Sequence, residues 1–67
     1  MITIKINGES RCINENLNIA ELLKNLQIQA PSVAVELNRD ILTKEAYGRQ
    51  VLKEGDVLEI VHFVGGG

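Results

Sequence analysis

Residues 2–13 read ITIKINGESRCI, and this stretch sets the fold. Its first five residues alternate isoleucine with a polar residue, which is the spacing of a β-strand with one buried face. Asn7 and Gly8 follow, and both tolerate the positive φ that a two-residue hairpin turn requires. With such a turn, Ile2 lies opposite Ile13 on the returning strand. The stretch therefore predicts an antiparallel hairpin.

A helix is predicted to follow this hairpin. Asn18 and Glu21 have the spacing of a capping box, in which the Asn side chain accepts from a free backbone N–H and the Glu side chain bonds back. The apolar residues here recur at helical spacing: Ile19, Leu22, Leu23 and Leu26. Pro31 disfavours a helical residue before it, so we expect the helix to end near Gln27.

The second half of the chain supplies more strands. Residues 33–37 alternate apolar and other side chains, and residues 41–42 are expected to pair briefly after a turn. A turn or one short helix is expected around residues 44–47. A turn at residues 53–56 leads into a final, strongly apolar strand over residues 57–63. The predicted order is two strands, a helix, a strand, a short strand and a last strand.

One amphipathic helix cannot cover both faces of a sheet, so it must pack on one face. The order above therefore predicts an α+β fold, a ubiquitin-like β-grasp with a mixed four- to five-stranded sheet packed on one main helix. The predicted core consists of Ile4, Ile6, Ile13, Leu22, Leu23, Leu26, Val35, Leu37, Leu58 and Ile60. We assign residues 1–64 to this domain and residues 65–67 to a flexible C-terminal glycine tail.

Composition argues against several classes of protein. The 67 residues carry seven Lys/Arg and nine Asp/Glu, a net charge of −2, with both signs scattered. Nucleic-acid binding is not expected, because it requires a basic stripe and, for single strands, several stacking rings. No apolar run reaches the roughly 18–20 residues that span a bilayer, so no membrane association is expected. The single cysteine, Cys12, excludes an intramolecular disulfide framework and favours a reducing cytoplasm.

Few residues could carry catalysis. His62 is the only histidine, and nothing in the sequence places a serine or cysteine beside it. Cys12 is interpreted as an inert strand residue, because no neighbour in sequence would activate its thiol. We therefore expect no catalytic residue, no metal site and no bound cofactor, and a protein that is not itself an enzyme.

The informative feature is the run Gly65-Gly66-Gly67 directly after the last strand. A glycine run has no Cβ atoms, so it can pass through a slot too narrow for any side chain. Residues 64–67 can extend roughly 13–14 Å beyond the folded body. The terminal carboxylate would be ionised at neutral pH and sterically bare, and could attack an activated phosphate. The tail therefore suggests a protein that is the substrate of an enzyme.

Residues 33–38 (VAVELN), residues 55–61 (GDVLEIV) and the terminal glycines resemble the sulfur carrier protein of thiamine biosynthesis. The resemblance covers essentially the whole chain. It implies that an adenylyltransferase related to ubiquitin-activating enzymes uses ATP to adenylate the carboxylate of Gly67. A persulfide sulfur donor would then replace AMP and leave a thiocarboxylate, from which thiazole synthase takes sulfur for the thiazole ring. Gly66 matches the penultimate glycine of the family, and Gly65 is one glycine beyond the minimal Gly-Gly ending.

Strand alternation also predicts a docking surface. If Leu58 and Ile60 point inward, Val61 and Phe63 point outward. An exposed aromatic residue beside a valine, next to a reactive tail, is typical of a partner-binding site. We predict that Val61, Phe63 and Val64 bind the partner enzymes, that Gly65 and Gly66 enter their active sites, and that the free protein is a monomer.

Three alternatives remain open from the residues alone. The small subunit of molybdopterin synthase resembles this chain in fold and terminal glycines, although it is usually longer and carries proline near its tail. A protein-conjugating ubiquitin-like modifier would share the activation chemistry and form isopeptide adducts. A non-covalent β-grasp binding module with a passive tail would be unaffected by the loss of Gly67.

Overall fold

The computed structural model describes residues 1–63; Val64 and the expected tail, residues 65–67, lie outside the described residues. Five strands and one α-helix make up the fold, in the order β1 (Ile2–Ile6), β2 (Glu9–Ile13), α1 (Ile19–Asn25), β3 (Val33–Leu37), β4 (Asp40–Ile41) and β5 (Val57–His62). Two 3₁₀ turns, Ala30–Ser32 and Lys44–Ala46, lie before β3 and after β4. The second lies where a turn or one short helix was expected, around residues 44–47.

The five strands form one mixed sheet in the order β2-β1-β5-β3-β4. β1 pairs antiparallel with β2 and parallel with β5, while β3 pairs antiparallel with both β5 and β4. The predicted α+β class and the mixed sheet with one helix are confirmed. The last strand of the chain therefore lies at the centre of the sheet.

The opening hairpin has the predicted register, with Ile2 opposite Ile13. Its two turn residues are left-handed, at φ 50° for Asn7 and 87° for Gly8. This conformation suits asparagine and glycine better than any β-branched residue.

The predicted position of β4 was wrong by one residue, because a second two-residue turn precedes the strand. Asn38 and Arg39 have φ values of 50° and 76°, and Leu37 lies directly opposite Asp40. Because the turn is this tight, β4 begins at Asp40 and ends at Ile41, one residue earlier than the expected residues 41–42.

The capping box at the start of α1 is present in full. The Glu21 amide donates to Asn18 Oδ1 at 2.7 Å, and the Asn18 amide donates to Glu21 Oε1 at 2.9 Å. The helix ends at Asn25, earlier than the predicted Gln27. Gln27 has a φ of 60°, and the Ile28 amide donates to the Leu23 carbonyl at 2.8 Å.

These contacts, with the Gln27 amide on the Lys24 carbonyl, form a Schellman motif. The helix therefore ends by local capping, several residues before the proline that was expected to limit it.

Most of the predicted core is buried between the helix and one face of the sheet. Ile13 and Leu26 are only half-buried, and the prediction omitted four buried side chains: Ile19, Val33, Tyr47 and Leu52. Tyr47 and Leu52 lie in a segment with no periodicity, which backbone hydrogen bonds join to the start of α1. The Ala20 amide donates to Tyr47 and the Leu52 amide donates to Leu17.

Candidate functional site: the end of the last strand

The end of β5 is held from both sides. On the β3 side, the Phe63 amide donates to the Ser32 carbonyl at 3.0 Å. On the β1 side, the Asn7 side chain bonds the backbone of Ile60. The chain therefore reaches Phe63, the last residue that the structure describes, from a well-restrained strand.

Side chains along β5 alternate between exposed and buried from Val57 to Val61, as the sequence predicted, and His62 is exposed as well. Leu58 and Ile60 are buried, whereas Val61 is 57% and Phe63 62% exposed. The two exposed residues are close in sequence to the glycine run. Of the predicted partner-binding residues, the structure describes these two; Val64 lies outside the described residues. Their role in partner binding stays a prediction.

The predicted tail residues Gly65, Gly66 and Gly67 also lie outside the described residues. Their assignment as the covalent attachment site and the segment that enters partner active sites therefore stays a prediction.

Sequence reasoning missed Lys44, which lies beside Phe63 in space. The Lys44 ammonium donates to the carbonyls of Ala30 at 3.2 Å and Val33 at 3.0 Å. It also lies 5.5 Å from the centre of the Phe63 ring and 5.8 Å from the centre of the Tyr47 ring. No sequence signal points to this cluster, because Lys44 belongs to a 3₁₀ turn that is brought to the strand end only by the fold.

The residues considered for catalysis form no site in the described part of the chain. His62 is exposed and lies opposite Val33 in the sheet. Cys12 is exposed on β2, where its sulfur lies 3.7 Å from Thr3 Oγ1. Within residues 1–63, no three His, Cys, Asp or Glu side chains are grouped to hold a metal ion. No helix in this range is long and apolar enough to cross a membrane.

A mixed sheet holding one helix, with an exposed apolar strand end at its centre, defines a small ubiquitin-like β-grasp protein. The family model described as the ThiS family matches residues 4–67, and the chain belongs to that family. This confirms the resemblance drawn from the sequence.

Individual relatives agree with this family. The chain is 40% identical over 65 residues to the sulfur carrier protein ThiS of Bacillus subtilis, covering 96% of this chain and 98% of that protein. A crystal structure of a thiamine biosynthesis protein (ThiS) from Geobacter metallireducens superposes with a TM-score of 0.85 at 39% identity, covering 98% of this chain and 100% of that one.

Two other relatives are much longer proteins. The chain is 42% identical over 62 residues to a thiazole synthase of Paramagnetospirillum magneticum, covering 92% of this chain and 19% of that protein. It is 39% identical over 64 residues to a thiazole synthase of Magnetococcus marinus, covering 96% of this chain and 20% of that protein. The chain thus spans about a fifth of the length of these two relatives.

Proposed function

We propose that this chain is a sulfur carrier of thiamine biosynthesis rather than an enzyme, and that Gly67 is its reactive residue. The observation that carries the proposal is the near end-to-end similarity to the Bacillus protein named as a sulfur carrier. The glycine run at residues 65–67 and the exposed strand end beside it agree with that role.

The chemistry follows from the terminal carboxylate. One carboxylate oxygen of Gly67 attacks the α-phosphorus of ATP on a ubiquitin-activating-type adenylyltransferase, and pyrophosphate leaves. A persulfide sulfur then attacks the acyl carbon, AMP leaves, and a thiol reductant releases the thiocarboxylate. The folded body contributes by presenting the carboxylate, and it binds no cofactor of its own in this scheme.

Thiazole synthase is the proposed sulfur acceptor. Two longer proteins named thiazole synthase each contain a stretch similar to nearly all of this chain. A carrier joined to its acceptor in one polypeptide has a high effective concentration at the acceptor site. These relatives favour thiazole formation over transfer to a molybdopterin synthase large subunit. The proposal places these steps in the cytoplasm, with the free carrier a monomer.

Intact-mass measurement tests the proposal. The full chain is incubated with the activating enzyme, ATP, a persulfide donor and a thiol reductant. We expect the mass to rise by the difference between sulfur and oxygen, and to return to its original value when thiazole synthase and its substrates are added. A mass that stays unchanged under conditions that charge the Bacillus carrier would rule out the proposed function.

A chain lacking Gly67 is the matched variant. It still ends in glycine, but its last residue reaches roughly 3.3–3.6 Å less far. We expect it to fold normally and to remain uncharged, whereas a passive tail predicts no difference between the two chains. Isopeptide adducts would instead indicate a protein modifier, and sulfur transfer to a molybdopterin synthase large subunit alone would indicate the other pathway.

A further inference from the structure

The Lys44 side chain joins three separate parts of the chain at the place where residue 63 leaves the sheet. Its ammonium donates to the carbonyls of Ala30, at the start of the first 3₁₀ turn, and of Val33, directly after it, at 3.2 and 3.0 Å. It also lies over the rings of Tyr47 and Phe63, at 5.8 and 5.5 Å. One cation therefore connects the start of β3, the second 3₁₀ turn and the residue after β5.

These contacts restrain the two rings unequally. Tyr47 is 3% exposed and belongs to the hydrophobic core, so its position is set by packing on several sides. Phe63 is 62% exposed, so packing restrains it much less. The structure gives Phe63 two specific contacts: the hydrogen bond from its backbone amide to the Ser32 carbonyl, and the contact of its ring with the Lys44 ammonium. Lys44 is therefore the anchored partner, and Phe63 is the residue that it restrains.

The surroundings of the ammonium support a positioning role. Within residues 1–63, Lys44 forms no ion pair; the single ion pair there joins the N-terminal amine to Glu15. Backbone carbonyls and the faces of aromatic rings surround it instead. A cation over a ring face is attracted to the ring, most strongly where water is excluded. This attraction is sufficient to bias the orientation of an exposed ring.

We propose that Lys44 is a positioning residue for the C-terminal segment, acting through Phe63. By holding the Phe63 ring against the second 3₁₀ turn, it restrains the residue that directly precedes the proposed reactive segment in the sequence. The restraint on Phe63 is independent of the proposed function, and only its effect on charging rests on that function.

Three variants test the inference in the full-length chain. Lys44→Met keeps the alkyl chain and removes the cation, and Lys44→Arg restores a cation that can lie on a ring face. Lys53→Met removes an exposed lysine in the turn before β5 and serves as the control. The heteronuclear NOE of the Phe63 amide reports its motion on the ps–ns timescale. The chemical shifts of the Phe63 ring protons report its packing.

We expect Lys44→Met to lower the Phe63 NOE and to shift the ring protons toward random-coil values. In Lys44→Arg, the Phe63 NOE and the ring-proton shifts are expected to lie close to their wild-type values. In Lys53→Met, neither quantity should change. In charging assays, Lys44→Met should raise KM about three- to tenfold, the factor expected for losing one such contact. Its kcat should stay within about twofold, because the bound segment is then held by the enzyme.

The two failures are distinguishable. An unchanged Phe63 NOE in folded Lys44→Met overturns the positioning role, whatever the charging assay gives. A wild-type chain that is never charged rejects the proposed function, while the NOE comparison still decides the role of Lys44. If Lys44→Met does not fold, Phe63→Leu removes the ring face and leaves Lys44 on its carbonyls. An NOE at residue 63 equal to that of the wild type in this variant would overturn the inference.

Discussion

The side-chain amide of Asn7 bonds both backbone groups of Ile60. Asn7 Oδ1 accepts from the Ile60 amide at 2.7 Å, and Asn7 Nδ2 donates to the Ile60 carbonyl at 3.1 Å. Asn7 lies one residue beyond the end of β1, so its side chain extends the pairing between β1 and β5 after the strand itself has turned away. The hairpin turn thereby restrains the strand that leads to the proposed reactive tail.

Replacing Asn7 should destabilise the fold in two separable ways. Asn7→Ala removes both bonds to Ile60 and puts alanine, which tolerates the left-handed region less well than asparagine, at φ 50°. We expect a loss of roughly 2–4 kcal/mol in the free energy of unfolding, combining unpaired backbone groups with left-handed strain. Asn7→Gly removes the bonds alone and should lose about half as much. Urea denaturation measures both, and equal losses would contradict the contribution from strain.

Asp56 joins two turns and should matter more than an exposed acid. It is 8% exposed; its Oδ2 accepts from the Lys53 amide at 2.8 Å and its Oδ1 from Asn38 Nδ2 at 3.1 Å. Asp56→Ala should cost about 1–3 kcal/mol of unfolding free energy, because two donors lose their partner. Asp40→Asn, at the exposed first residue of β4, should change the unfolding free energy by no more than about 0.5 kcal/mol. If both variants shift the midpoint of urea unfolding equally, the hydrogen bonds of Asp56 make no specific contribution to stability.

Asn18 caps α1 and also contacts the loop that follows the second 3₁₀ turn. Its Oδ1 accepts from Glu21, and its Nδ2 donates to the Gly48 carbonyl at 3.1 Å. Asn18→Asp retains the cap and loses the loop contact, whereas Asn18→Ala loses both. We expect Asn18→Ala to lose about 1 kcal/mol more than Asn18→Asp in thermal or urea unfolding. Equal stability of the two variants would mean that the cap makes no net contribution.

Phe63 should carry binding energy rather than stability. Phe63→Ala should fold normally, because the ring is 62% exposed, and should weaken affinity for the activating enzyme by about 1–3 kcal/mol. Ile41→Ala is the matched control, since Ile41 is 74% exposed on the edge strand β4. Calorimetric titration measures both affinities. Unchanged affinity of Phe63→Ala, or an equal loss for Ile41→Ala, would place the docking surface elsewhere.

Sequence reasoning was most accurate where a short motif specifies its own geometry. The Asn7-Gly8 turn predicted the register of the opening hairpin, and the Asn18–Glu21 spacing predicted the cap of α1; both are present. It was less accurate at the end of α1, where the Schellman motif was not recognised from the sequence. Gln27 takes the left-handed position that ends α1, and glutamine is not a residue that usually signals it.

The part of the candidate site that sequence could predict was the alternation along β5. Val61 and Phe63 were expected to point away from the core, and both are exposed. Lys44 could not be predicted, because its partners Ala30, Val33 and Phe63 are 11 to 19 residues away along the chain. Such contacts have no periodic or local signature.

The local pattern of residues determined the hairpin, the helix start and the alternation of the last strand, since each depends on φ preferences or side-chain spacing over a few neighbouring positions. Only the tertiary structure decided that β5 lies between β1 and β3, that Asn7 extends its pairing, and that Lys44 lies against Phe63. These relationships depend on how separate elements pack together. Burial of one shared core brings them into contact, and no single segment contains that information.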